Sequence, residues 1–341
     1  KNEIQAEKRD WKLDYKKKLK DQFFSIACNL IPLNVPIAYL EGYNSLLQIP
    51  KKNKWPNSPK VIFTSNSYIA DDVAKIYTAE KVEKKTKLII GQHGGHMGTS
   101  PFAYHEDHQI TISDKWLSWG WKDRKKTKIR PFGNFRTSGR TVDYNQKGGA
   151  LMIEATFPRY SDQIIATVTS SQWLYYFKDQ IQFIKSLPLD LQKKINVRLF
   201  PHDFGWDQLE RWTDSGLDVK IQISNQDIIS SMRKSRLCIS TYNSTSFLET
   251  FFWNIPTIIF WNPVYWELNV QAKPYYQKLV NAQILHYDPI NAAKHLIRIW
   301  DNVDNWWKSD DVQTAKNHFC QQYSFEVNNP ISKLSSIIRE I

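Results

Sequence analysis

The residues best placed by type and spacing to do chemistry run from Cys238 to Thr250: Cys238-Ile239-Ser240-Thr241-Tyr242-Asn243-Ser244-Thr245-Ser246-Phe247-Leu248-Glu249-Thr250. An apolar strand enters a cluster of small polar residues, and the cluster opens a helix. Asn243, Ser244, Thr245 and Ser246 fall where unpaired backbone N–H groups and the helix dipole attract a phosphate. Glu249 follows about one turn later, where a carboxylate can accept hydrogen bonds from ribose hydroxyls. Asn254-Ile255-Pro256-Thr257 then leads into another buried strand. Serine and threonine also cap helices everywhere. It is the whole string of strand, hydroxyls, glutamate, proline and strand that favours a phosphate-ribose site.

A second group lies in the first half. His93, His96, His105 and His108 are four of the eight histidines, and Glu106 and Asp107 stand between the latter two. His93 and His96 bracket Gly94 and Gly95 directly after an apolar run. That places Gln92 to His96 on a loop at the carboxyl end of a strand, where open α/β sheets put ligands. Glycines there let backbone approach a substrate closely. Three readings stay open: a substrate-facing loop, structural histidines, or a metal site. On the first, His93 or His96 is a general base for an acceptor hydroxyl. Glu106 or Asp107 could take that role, or act as nucleophile in a retaining reaction.

Further candidates sit at strand ends. Arg198 and His202 flank one such end and could clamp a phosphate or carboxylate. Arg159, in Phe157-Pro158-Arg159-Tyr160, suits a phosphate or sugar. Ser65 and Asn66 end a first-half strand on the acceptor side, where a helix cap competes with acceptor contact. No G-x-x-x-x-G-K-[ST] loop and no G-x-G-x-x-G after a strand is present, which argues against ATPase and dehydrogenase readings. No D-x-D pair stands where a metal-dependent sugar-nucleotide site would want it, so transfer without a metal or other cofactor is expected.

These residues need elements to hold them. Short apolar runs alternate with helical stretches, the signature of parallel βαβ units. Strands are expected at Pro36–Leu40, Lys60–Thr64, Leu88–Gly91, Ala150–Ala155, Asn196–Phe200, Arg236–Ser240 and Thr257–Phe260. Helices are expected at Ala70–Glu83, at Asp162–Leu187 with Leu174, Phe177, Ile181 and Ile184 on one face, and at Gln226–Lys234. One follows from Thr245, and others contain His295–Trp300 and Val312–Tyr323. The polar stretch Asn145 to Gly149 divides the chain into residues 1–147 and 148–341. The last helices could pack back on the first part.

Composition bounds the rest. The 341 residues suggest about two domains. With 41% hydrophobic and 14% aromatic residues, sizeable cores are affordable and disorder is excluded as the main state. A net charge of +12 favours anionic partners. The basic run from Lys8-Arg9 to Lys20 reads as a solvated helix face, or as a patch against an anionic membrane. Cys28, Cys238 and Cys320 are widely spaced, which fits free thiols in a reducing compartment. No stretch approaches ~20 apolar residues. No secretory signal is evident, and a lysine start is expected of a trimmed or excised piece.

Five segments carry a resemblance: Gly91 to His96, Trp119-Gly120-Trp121, Arg130 to Asn134, Arg198 to Trp206, and Thr241 to Glu249 with Asn254 to Pro263. They look like a family of bacterial surface-polysaccharide transferases acting in lipopolysaccharide, O-antigen or capsule synthesis. That family is distantly similar to the transferases of Kdo and other nonulosonic acids. Those enzymes carry a histidine-proline pair, whereas this chain has Pro201-His202, the reverse order. The resemblance implies an α/β fold of GT-B type, two Rossmann-like domains facing each other across a cleft. It further implies a nucleotide-sugar donor, CMP-linked in the finer reading, and a glycan or lipid-linked glycan acceptor. The expected place is the cytoplasm, with peripheral contact at the inner membrane and no nucleic-acid partner. The rivals are a metal-dependent hydrolase centred on His93, His96, His105 and His108, and a non-catalytic anion-binding module.

Overall fold

The computed structural model describes residues 3–11, 22–160, 166–223 and 227–341. The chain forms two compact units, Lys1–Ile90 and Gly91–Ile341.

In the first unit, β1 (Val61–Thr64) pairs in parallel with β2 (Lys87–Gly91), Val61 opposite Lys87. The helix Asp72–Glu83 connects them, capped by the Asp71 carboxylate accepting from Ala74 N at 2.9 Å. The strand expected at Pro36–Leu40 is instead a 3-10 turn, Ile37–Tyr39. Pro36 brings no N–H to a ladder, and Leu40 N and Gly42 N both close back on Ile37 O.

The basic run also departs from expectation where it is described; Lys12 to Lys20 lie outside the described residues. Arg9 is buried, not solvated. Its Nε and Nη2 donate to Glu41 at 2.7 and 2.9 Å, and its remaining donors reach the carbonyls of Pro32, Leu33 and Val35. The Arg9 hydrogen bond, against the opposing effect of burial, holds the Glu41 carboxyl down to about 2 from 4.5. A carboxyl lowered on folding adds stability that is present above its unfolded value and lost as pH falls through the folded one. Glu41→Gln should therefore lower the melting temperature at pH 7, and variant and wild type should converge between pH 4.5 and 2. Coincident melting curves at pH 7 would show that the pair contributes nothing.

The second unit holds β3 (Lys115–Ser118) paired in parallel with β4 (Ile129–Pro131), and a separate six-stranded sheet. That sheet comprises β5 (Ala150–Ile153), β6 (Ile195–Arg198), β7 (Lys220–Gln222), β8 (Leu237–Ser240), β9 (Thr257–Phe260) and β10 (Leu285–His286). All its neighbours run parallel, in the order β7-β6-β5-β8-β9-β10. Counted from β5 this is 3-2-1-4-5-6, the doubly wound order whose direction reverses between β5 and β8.

Both faces of this sheet are buried, as a parallel sheet flanked by helices requires. Met152, Val197, Ile239 and Ile258 face a core with Phe183, Ile184, Trp212 and Leu296; Leu151, Ile153 and Cys238 face Met232 and Ile255. The long helix spans Gln172–Lys185, shorter than expected, and residues 161–165 lie outside the described part. Its buried face is Trp173, Tyr176, Gln180, Phe183 and Ile184, while Leu174 is exposed. Trp173 takes the core position because it stacks on Trp206 and Phe177. After the helix Asp310–Tyr323, the chain runs along Trp119: Phe325 N donates to Trp119 O at 2.8 Å, and Lys333 Nζ to Phe132 O at 3.0 Å.

Among the described residues no helix is long and apolar enough to cross a membrane. Cys28, Cys238 and Cys320 are free thiols, and burial pushes Cys238 and Cys320 up to about 12. Such thiols are unreactive.

Candidate functional site

A cavity of about 410 Å³ opens at the carboxyl ends of β5, β6 and β8, at the switch point. Glu154 follows β5 directly. Arg198 ends β6, Leu199, Phe200 and Pro201 come just after it, and Tyr242 lies just past β8. Thr245, Ser246 and Glu249 come from the helix Thr245–Phe252, Asp227 precedes the helix Ile228–Arg233, and Arg136 reaches in from the loop after β4.

The charges on this wall are mixed. Arg198 is buried and donates to Ser231 Oγ at 3.2 Å; burial lowers its value, with Asp227 and Tyr242 pulling the other way. A guanidinium stays charged under such a shift. Glu249 is 2% exposed, and its Oε1 lies 3.2 Å from Arg136 Nε without accepting a hydrogen bond. Burial raises the Glu249 carboxyl, opposed by the nearby charges of Arg136 and Arg140. Tyr242 accepts from Ser246 Oγ at 3.0 Å.

The serine-rich turn divides by residue. Thr245, Ser246 and Glu249 line the cavity. Ser244 does not, but its side chain makes no cap bond to the helix, so ordinary N-capping is not its task. Asn243 is spent elsewhere: it is buried and accepts from Tyr276 Oη at 2.7 Å.

Arg159 and His202 stay outside the cavity. Arg159 is exposed, donates to Gly205 O at 3.0 Å and lies over the Trp206 ring. His202 is exposed beside Phe200 and Phe204, although its neighbour Pro201 lines the wall. Ser65 and Asn66 belong to the first unit, in the turn between β1 and the helix Ser67–Ala70.

The Gln92–His96 loop meets the Thr245 helix through its backbone. Gly95 N donates to Thr245 Oγ1 at 3.3 Å. Gln92 is an internal strut and not an acceptor contact: its Oε1 accepts from Trp119 N and Trp121 Nε1, both at 2.9 Å, and its Nε2 donates to Gly94 O at 2.7 Å. Burial first, then the His93 and His105 charges, lowers His96 to about 4, so its ring is neutral at pH 7. His93 Nδ1 lies 3.5 Å from Gln109 Nε2, whose amide is oriented by Trp116 Nε1 at 2.7 Å.

Glu106 and Asp107 belong to a different wall. Glu106 Oε2 accepts from Gly98 N at 2.7 Å, and Lys126 Nζ stands 3.4 Å from Glu106 and 2.7 Å from Asp107. These groups line a separate cavity of about 240 Å³ with Ser100 and Asn269. Among the described residues no three His, Cys, Asp or Glu side chains gather to hold a metal, so the hydrolase reading loses its ligand set.

Glu154, Arg136, Asp227 and Tyr242 line the cavity without having been singled out from the sequence. Glu154 left one trace there: a carboxylate directly after four apolar strand residues, at the edge where ligands bind.

A doubly wound parallel sheet with such a cavity at its switch point defines an α/β enzyme fold of the nucleotide-binding kind. The chain belongs to the LIC12162 family of transferases, whose model matches residues 1–338. No curated protein matches its sequence. Among solved structures it is similar, at 12% identity and a TM-score of 0.44, to the wall teichoic acid polymerase TagF, over 87% of this chain and 83% of that one. It is also similar to UDP-GlcNAc 2-epimerase from Neisseria meningitidis (11% identity, 97% and 85% covered, TM-score 0.46). Acinetobacter baumannii MurG aligns at 10% identity over 88% and 78%, with a TM-score of 0.44.

Proposed function

We propose that the protein is a glycosyltransferase of GT-B type that takes a sugar from a nucleotide-sugar donor. The observation that carries this is the switch-point cavity. Its volume, about 410 Å³, lies in the range of small-molecule sites. It joins a helix start without a side-chain cap, a buried arginine and a buried glutamate. In this reading Arg198 and the first turn of the Thr245 helix hold the phosphate, and Glu249 holds the ribose. Residues 148–341 bind the donor and residues 1–147 present the acceptor. His93 is the base for the acceptor hydroxyl, favoured over Glu106 and Asp107 because its loop touches the donor helix at Gly95. The leaving phosphate is stabilised by groups already in place, the main electrostatic task of such a transfer.

The finer reading names a CMP-linked nonulosonic acid as donor and a bacterial surface glycan, free or lipid-linked, as acceptor. It places the enzyme in the cytoplasm, in peripheral contact with the inner membrane, and needs no cofactor besides the nucleotide sugar. It rests on the motif resemblance from Gly91 to Pro263.

Thermal-shift titration with CMP, UDP, GDP and dTDP tests both levels. A ligand at a hundred times its Kd stabilises by about 2.7 kcal/mol, a shift of several degrees. CMP shifting most supports the nonulosonate donor. UDP, GDP or dTDP shifting most keeps the transferase and changes the sugar. No shift with any of the four at millimolar concentration would sink the nucleotide-sugar reading.

A further inference from the structure

Glu154 puts a buried carboxyl on the wall of the proposed phosphate site. It follows β5 at the switch point, is 3% exposed, and lines the same cavity as Arg198, Thr245 and Ser246. Its Oε1 accepts from Trp212 Nε1 at 2.9 Å, and among the described residues no lysine or arginine stands within ion-pair distance of it. A carboxylate so placed would repel an incoming phosphate, the more strongly because burial lowers the local dielectric. A carboxylic acid in the same place donates a hydrogen bond.

The neighbours favour the acid. Tyr176, from the helix Gln172–Lys185, is committed to Ala155 N and Thr241 Oγ1. Trp212 carries no charge. Arg198 on β6 lines the same cavity, and the charges that act on it are those of Asp227 and Tyr242. Glu249, Asp227 and Arg136 line the remaining wall. Burial pushes the Glu154 carboxyl up to about 8, opposed by the Trp212 hydrogen bond. Tyr176 and Tyr242 are raised above the ordinary phenol value by burial, so they keep their protons throughout the same range.

We propose that Glu154 works as a neutral carboxylic acid that donates a hydrogen bond to a phosphate oxygen of the donor nucleotide, so that donor binding depends on one proton. This rests on the reading of the cavity as a nucleotide-sugar site. Only the protonated form binds, and apparent affinity falls with the fraction protonated.

The test is calorimetric titration of the full chain with CMP and, in parallel, UDP, from pH 6.5 to 9.5. The wild-type Kd should rise roughly thirtyfold between pH 7 and 9.5. At pH 9, titrations in buffers of different ionisation enthalpy should show about one proton taken up per nucleotide bound. Glu154→Gln keeps an N–H donor at the same place. Its Kd at pH 7 should stay within about threefold of wild type and remain flat to pH 9.5, with no proton uptake. A flat wild-type profile, or a Glu154→Gln variant that keeps the rise, overturns the proposal while leaving the nucleotide site standing. Failure of the wild type to bind either nucleotide at any pH overturns both. The wild-type profile and proton count need no variant, so a poorly folding Glu154→Gln protein would not rescue the idea.

Discussion

Glu249→Ala should weaken nucleotide binding about a hundredfold without lowering the melting temperature. The carboxylate is 2% exposed and its Oε1 receives no hydrogen bond, although Arg136 Nε stands 3.2 Å away. A buried acceptor with unfilled valence costs the fold about 1–3 kcal/mol. The raised carboxyl value, caused first by burial, is the same cost seen in protonation. Removing the group relieves it, and alanine suits a helix interior better than glutamate. Phe247, Leu248 and Phe251 hold the helix in the core independently. A ligand hydroxyl pair on this carboxylate is worth about 3 kcal/mol, which is the hundredfold. Calorimetric titration beside a thermal melt checks it. Wild-type affinity in the variant, or affinity lost only together with the fold, would remove Glu249 from the site.

The contrast between Glu249 and Glu154 shows what a sequence can carry. Glu249 was legible because everything that places it is local: strand β8, the hydroxyl turn and the helix Thr245–Phe252 follow one another in the chain. Glu154 acts at a position defined by β5 lying between β6 and β8, a pairing set by segments far apart in sequence. The same non-locality explains the misplaced candidates. Gln92 and Asn243 have the residue types of ligand contacts, yet their side chains are consumed by Trp119 and Trp121, and by Tyr276. Arg9 sits in a run that reads as solvated, while its partner Glu41 lies 32 residues on. Strands β4, β7 and β10, three, three and two residues long, are too short to show any period.

Gly95→Ala should abolish most turnover, because at this position the loop and the donor helix are in backbone contact. A Cβ on Gly95 would lie 2.6 Å from Ser244 C and 2.7 Å from both Ser244 O and Leu248 Cδ1. Two of those atoms are main chain and cannot rotate aside, so the loop must lift. Lifting breaks the 3.3 Å bond from Gly95 N to Thr245 Oγ1 and moves His93 with it. Overpacking of this kind costs about 1–3 kcal/mol, and a displacement near 1 Å at a reacting group can cost about a hundredfold in rate. Gly94→Ala is the control. Its Cβ would meet only the His96 ring, at 3.3 and 3.4 Å, a looser contact with side-chain atoms instead of main chain. The expected pattern is a drop of several degrees in melting temperature and at least a hundredfold in donor consumption for Gly95→Ala. Gly94→Ala should stay within a few-fold of wild type. Full turnover in Gly95→Ala would mean that the contact at Ser244 does not set the position of His93, and the base would have to be sought on another element.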